Sequence, residues 1–348
     1  MQGSQHIIRA KLQRSCLLGL LLVASGLAQA QSGSDLLMRM NAAFAEANYD
    51  GVFTYLSGDE MASLRVVHKI VEGVHKERLV HLNGAPREII RHGEEVVCIV
   101  MPGDDIAVLE DSIPDGPFAR AFVRDFNRLS GSYDVQTMGE GRVASRPAVR
   151  LAIMPRDEHR YGFKLWLDQQ TDLLLRSEMI DSSGQKLEVF QFSSIVFDDA
   201  VQDEALEAEE HQGSMISHLT LKKSDSSVGE TDESSQQWQV GWLPRGFQMA
   251  MADIRQQESD KSMNSMMYSD GIASFSIFLE PMPPHGAASA VSRNGATVVM
   301  TRGIGMAGSN QAQQSHGFAT KTDYYLATLV GEIPPETAKR ILESVATE

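Results

Sequence analysis

Between Val52 and Met101 the chain runs through "VFTYLS", "ASLRVVHKI", "HKERLVHL", "PREIIRH" and "VVCIVM". Short β-branched and aromatic runs at this spacing, several of them divided by glycine-containing turns, confine a chain to an antiparallel meander. The rhythm resumes after about forty residues with "RVASRPAVRLAIMP", "RYGFKLWLDQ", "LLLRSEMID" and "LEVFQFSSIVF". Two stretches break it. In "SDLLMRMNAAFAEANYDG", Ser34 is a cap candidate and Leu36, Met40, Phe44 and Ala47 share a helical face; in "IPDGPFARAFVRDFNRLSGSYDV", Phe118, Phe122, Phe126 and Leu129 recur at the same helical spacing. The pattern predicts one long, curved antiparallel sheet with amphipathic helices over one face, an α+β arrangement.

The first thirty residues carry Arg9, Lys11 and Arg14, then the apolar run "CLLGLLLVASGLA", then "AQA". This reads as a cleavable secretory signal peptide over 1–30. Without it, 28 basic residues remain against 46 acidic ones, a formal charge of −18, which disfavours nucleic acid as a partner. Cys16 leaves with the signal, so Cys98 cannot form an internal disulfide; its β-branched neighbours give it the role of a small buried hydrophobe.

Past Asp198 the composition changes. "DDAVQDEALEAEEHQG" gathers acids on a segment with some helical character, and "KKSDSSVGETDESSQQ" reads as a linker. A second domain follows from Trp238. In "YSDGIASFSIFLE", Asp270-Gly271 reads as a tight primed turn, and Ala273, Phe275, Ile277 and Leu279 alternate as one face of a strand. In "PPETAKRILESVA", Ala338, Ile341, Leu342 and Val345 make a helical packing stripe.

Motifs that would carry catalysis are missing. "GIGMAG" places Gly303, Gly305 and Gly308 at dinucleotide-binding spacing, but no periodic helix follows to hold a pyrophosphate. His68, His75, His81 and His92 match no zinc-ligand spacing, and strand-face roles are expected for them. No G-x-S-x-G, C-x-x-C or P-loop occurs in the mature chain. No enzyme, cofactor or metal is assigned. The remaining clues concern binding: Arg120, Arg124 and Arg128 form a basic stripe at helical spacing, and eight of the seventeen methionines fall between Met249 and Met306.

Trp242, Leu243, Pro244, Gly246 and Phe247 in "WLPRGF", "YSDG" followed by Phe275 and Ser276, and "GEIPPETAKRI", in this order, resemble the periplasmic RseB/MucB regulators of envelope stress. Trp166, Asp168, Leu173 and Arg176 in "WLDQQTDLLLR" look like the strand-turn-strand element of LolA-type lipoprotein carriers. The resemblance covers nearly all of the mature chain. It implies a LolA-like antiparallel half-barrel with covering helices over 31–215, a flexible linker over 216–237 and a smaller α/β C-terminal domain over 238–348.

The function it implies is negative regulation: binding the periplasmic segment of a single-pass RseA/MucA-like anti-sigma factor and shielding it from regulated proteolysis. It makes the aromatic residues Trp242, Phe247, Tyr268 and Phe275 candidate partner contacts. It also makes Phe118, Phe122, Phe126, Arg120, Arg124 and Arg128 a candidate site for lipopolysaccharide or another anionic lipid that relieves binding. Homo-oligomerisation stays open, and a periplasmic lipid or lipoprotein carrier is the alternative reading. The polar stretch 302–321 is longer than such a family predicts.

Overall fold

The computed structural model describes residues 33–93, 95–100, 131–209, 215–220, 238–256, 262–282, 289–307 and 322–347. The expected signal segment, the expected helix over Phe118–Leu129 with both of its stripes, residues 221–237 and residues 308–321 lie outside these.

Ten strands make two meanders: β1 (Tyr49–Ser57), β2 (Glu60–Val71), β3 (Val74–His81), β4 (Glu88–His92) and β5 (Glu95–Val100), then β6 (Tyr133–Val143), β7 (Arg146–Pro155), β8 (Gly162–Asp168), β9 (Leu174–Ile180) and β10 (Lys186–Phe197). Antiparallel pairing of β1 with β10 joins them, and β11 (Met215–Thr220) adds to β5, giving the open order β11-β5-β4-β3-β2-β1-β10-β9-β8-β7-β6. Alternation places Tyr49, Phe53, Leu64, Leu151, Leu165 and Phe192 in one core, onto which helix α1 (Gly33–Glu46) lays Leu36, Leu37, Met40 and Phe44. Each of these large side chains contributes about 1.5–3 kcal/mol by leaving water.

Three local expectations change. "RVASRPAVRLAIMP" is not one strand but the end of β6, a two-residue turn and β7; Ala144 and Ser145 take φ 48° and 64°, a primed turn built without glycine or asparagine. Residues 216–220, expected in the linker, belong to β11, because the free backbone edge of β5 accepts a further strand. The acidic segment is a strap of two short 3-10 turns, Asp198–Ala200 and Asp203–Leu206, rather than an α-helix. Basic residues of the sheet hold it: Lys69 Nζ meets Asp203 at 2.5 Å, and Arg78 donates to Ala205 O at 3.2 Å while paired with Glu88 and Glu209.

The second domain is a six-stranded antiparallel sheet: β13 (Gln248–Gln256), β14 (Ser262–Ser269), β15 (Ser274–Met282), β16 (Ala290–Asn294), β17 (Thr297–Ala307) and β18 (Thr322–Gly331), ordered β13-β14-β15-β18-β17-β16. Helix α2 (Pro335–Glu343) packs Ala338, Ile341 and Leu342 on one face. The short strands β12 (Trp238–Val240) and β19 (Val345–Thr347) pair beside it. "SMNSMMYS" is strand β14, whose period of two buries Met266 and exposes Met267. Gly303 and Gly305 are not a phosphate loop but ladder positions in β17, opposite Leu326 and Tyr324.

Each sheet has its own core, and among the described residues of the second domain only Ala296 and Ile272 join the core of the first.

Candidate functional site

Asp270-Gly271 lies in a four-residue loop closed by the Ser269–Ser274 pair. Gly271 has φ 104°, whereas Asp270 is not among the positive-φ residues, so the two-residue primed turn expected here does not form. The Asp270 side chain builds the turn instead: its Oδ1 accepts the N–H groups of Ile272 (3.0 Å) and Ala273 (2.9 Å). That leaves Oδ2 pointing out of the second domain and into the first.

There it meets two residues without any motif. The Tyr133 hydroxyl at the start of β6 donates to Oδ2 at 3.0 Å, and Arg160 Nη1 lies 2.9 Å from the same oxygen. The side chains of Arg160 and Asp270 are both wholly buried. Arg160 Nη2 donates to Arg245 O (2.6 Å), Nε faces Asp157 (3.2 Å), and the guanidinium lies over the rings of Phe247 (5.1 Å) and Tyr133 (5.5 Å). Burial, then the Asp270 charge, hold the Tyr133 hydroxyl protonated far above the usual phenol range. Gly246 permits the approach: its φ is 95°, and a Cβ there would sit 2.6 Å from Ser132 Oγ.

On either side of this clasp lie two further contacts. In the first, Tyr161 Oη donates to Ile333 O (3.2 Å) and His159 Nδ1 lies 3.1 Å from Thr337 Oγ1. A cleft of about 180 Å³ opens beside it, lined by Glu158, Arg160, Tyr161, Arg293, Pro334 and Pro335 among others. In the second, the β1–β2 turn at Gly58 and the β16–β17 turn at Gly295 touch backbone to backbone, both glycines being left-handed (φ 56° and 57°). Glu188 closes this end, accepting from Tyr55 Oη (2.8 Å), Ser57 Oγ (3.4 Å) and Ala296 N (3.3 Å).

The four aromatic candidates belong to this joint or its support. Phe247, Tyr268 and Phe275 are 6, 3 and 2 % exposed; Tyr268 stacks on Phe275 at 5.2 Å, and Phe247 meets Phe275 at 5.4 Å. Their rings therefore hold the Asp270 loop and the "WLPRGF" turn in place rather than facing solvent. Trp242 is half-buried, with Arg340 over its ring (3.8 Å to the centroid) and His159 at its edge (5.2 Å). All three strings of the second domain that carry the resemblance thus converge on residues 157–161 of the first. In the lipoprotein-carrier-like string, Asp168 caps its own turn through Gln170 and Thr171 N–H while Arg146 Nε donates to it at 2.5 Å, a structural role.

Among the histidines, His68 on β2 is buried, its Nδ1 donating to Ala47 O just past α1 (2.8 Å) and its Nε2 3.3 Å from His75 Nδ1. Among the described residues no three His, Cys, Asp or Glu side chains gather as a metal site. Sequence reasoning missed Arg160, Tyr133 and Glu188, whose significance lies in contacts made from about 110 to 140 residues away.

Two family profiles match the chain, the MucB/RseB N-terminal domain over residues 32–210 and the MucB/RseB C-terminal domain over 232–346. The sigma factor AlgU regulatory protein MucB of Pseudomonas aeruginosa is 32% identical over 331 residues, 94% of this chain and 95% of the relative. The sigma-E factor regulatory protein RseB of Escherichia coli is 28% identical over 95% and 96%. Among solved structures, MucB in complex with MucA(peri) matches with a TM-score of 0.69 at 30% identity, covering 91% of this chain and 99% of that one. MucB alone matches with a TM-score of 0.58 at 28% identity, covering 92% and 99%.

Proposed function

The chain belongs to the MucB/RseB family, and from that premise we propose that it is an exported, periplasmic regulator that binds the periplasmic segment of a membrane anti-sigma factor. One observation carries this reading: the match to MucB in its complex with MucA(peri) covers 91% of this chain and so takes in residues of both domains. The mechanism is steric. An extended target segment is cut by a protease only while extended and accessible, and docking it on a folded surface depletes that state by mass action. The chemistry of the joint suits a binding protein: Asp270, Arg160 and Tyr133 are spent on one another and on backbone groups, and Glu188 on Tyr55, Ser57 and Ala296 N. Residues 1–30 direct export, and no reaction is assigned to the chain.

The test is capture followed by titration. The chain lacking residues 1–30 is used as bait in envelope extracts, and a recovered single-pass anti-sigma factor has its periplasmic segment titrated by calorimetry. Saturable binding, with slower cleavage of the segment by an added protease, is the expected result. Recovery of lipoproteins alone, with no anti-sigma binding, would replace this reading with that of a carrier.

A further inference from the structure

We propose that Arg160, Asp270 and Tyr133 form an interdomain lock whose closed state sets the mutual orientation of the two sheets, and that partner binding reads that orientation. This rests on the binding reading above and adds the residues that control it.

The composition of the joint supports a lock with two states. Among the described residues, apolar coupling between the cores is confined to Ala296 and Ile272. Most of the other connections are polar contacts that water can replace, Tyr161 to Ile333 O, His159 to Thr337, Glu188 to Ala296 N and Arg160 to Arg245 O, beside the His159–Trp242 ring contact, Arg160 over Phe247 and the Gly58–Gly295 approach. Domains joined in this way are free to move unless something specific holds them. Arg160 and Asp270 are that element, because both charges are wholly buried when the joint is closed. Opened fully, both are hydrated, and the net cost is small. A half-open joint would leave one charge buried without its counter-ion, which is strongly unfavourable. The intermediate is thus the least stable arrangement, and the joint is either shut or parted. Tyr133 bonds Oδ2 from the first domain while the Ile272 and Ala273 N–H groups bond Oδ1 from the second, so the aspartate is matched by both domains only when shut.

Asp270→Asn tests this, since the amide oxygen can keep the turn while its NH2 group replaces the charge facing Arg160. Spin labels at Gln169→Cys and Ser292→Cys, exposed positions on the two domains, report the interdomain distance in the chain lacking residues 1–30; Cys98 is buried. The unsubstituted joint should give one narrow distribution, and Asp270→Asn a second, displaced population together with at least a tenfold weaker affinity for the periplasmic domain of MucA, the probe. An unchanged distribution in Asp270→Asn overturns the lock. A displaced population with unchanged affinity overturns its control of binding. If Asp270→Asn does not fold, Tyr133→Phe decides: it removes one hydrogen bond and no charge, and it must broaden the distribution. A distribution that responds in a protein that never binds the probe leaves the lock intact and removes the binding reading instead.

Discussion

Glu332 lies at the end of β18, where its N–H donates to Ser274 O (3.2 Å), and burial, then the Glu188 charge, push its carboxyl up to about 7. Tyr55 and Ser57 donate to Glu188, and Tyr161, Asp181 and Arg293 complete the nearby charged and titratable groups. Between the ordinary value of 4.5 and about 7 the folded chain retains a proton that the unfolded chain has released. Stability therefore falls as pH rises through that window and stays lower above it. The urea midpoint should be lower at pH 8 than at pH 5, and Glu332→Gln should flatten the difference; equal pH slopes in the two proteins would contradict this. At the same scale, Gly246→Ala places a Cβ at φ 95° against Ser132. Backbone strain alone should cost about 1–3 kcal/mol, read as a lower denaturation midpoint.

The β6–β7 turn shows how elements impose a local conformation that their residues disfavour. Val143 pairs with Arg146, so the two residues between them must reverse the chain with the twist of a primed turn. Ala144 and Ser145 comply at a cost of roughly 1–2 kcal/mol each relative to right-handed backbone, outweighed by the long β6–β7 ladder. Ser145 is exposed with φ 64°, so Ser145→Gly should raise stability by about 1 kcal/mol, measured as a higher melting temperature. No glycine or asparagine marked this hairpin, which is why the residues read as one strand. At Asp270-Gly271 the opposite held: the turn dipeptide was present, but the aspartate's hydrogen bonds to Ile272 and Ala273 built a wider loop.

At the scale of the molecule the two sheets stabilise each other through the joint. Deleting residues 238–348 strips Arg160, Tyr133 and Tyr161 of their second-domain partners Asp270, Arg245 O and Ile333 O and uncovers the sites of Ala296 and Ile272. The remaining sheet keeps its own core and should fold, but it should melt below the full chain by roughly 5–10 °C, taking about 2–4 °C per kcal/mol for a domain of this size. Anti-sigma binding should fall to background in the same truncated protein. Undiminished affinity, measured by calorimetry, would place the partner contact wholly on the first sheet.

Alternation and helical spacing are local, and burial of one face follows from them whatever the rest of the chain does. For that reason the strands of both meanders apart from β6, together with α1, α2 and the Ile277 and Leu279 face of β15, were legible from the residues alone. The strings around Trp242, Asp270 and Pro334 pointed to the family and to regulation by binding. Their meeting place was not legible. Arg160 sits in "DEHRY", which has neither periodicity nor motif, and it acquires its role from a buried carboxylate 110 residues later. A charge leaves water only where a tertiary contact supplies its counter-ion. The joint was therefore decided by the packing of two domains, while the sheets themselves were written in the period of the chain.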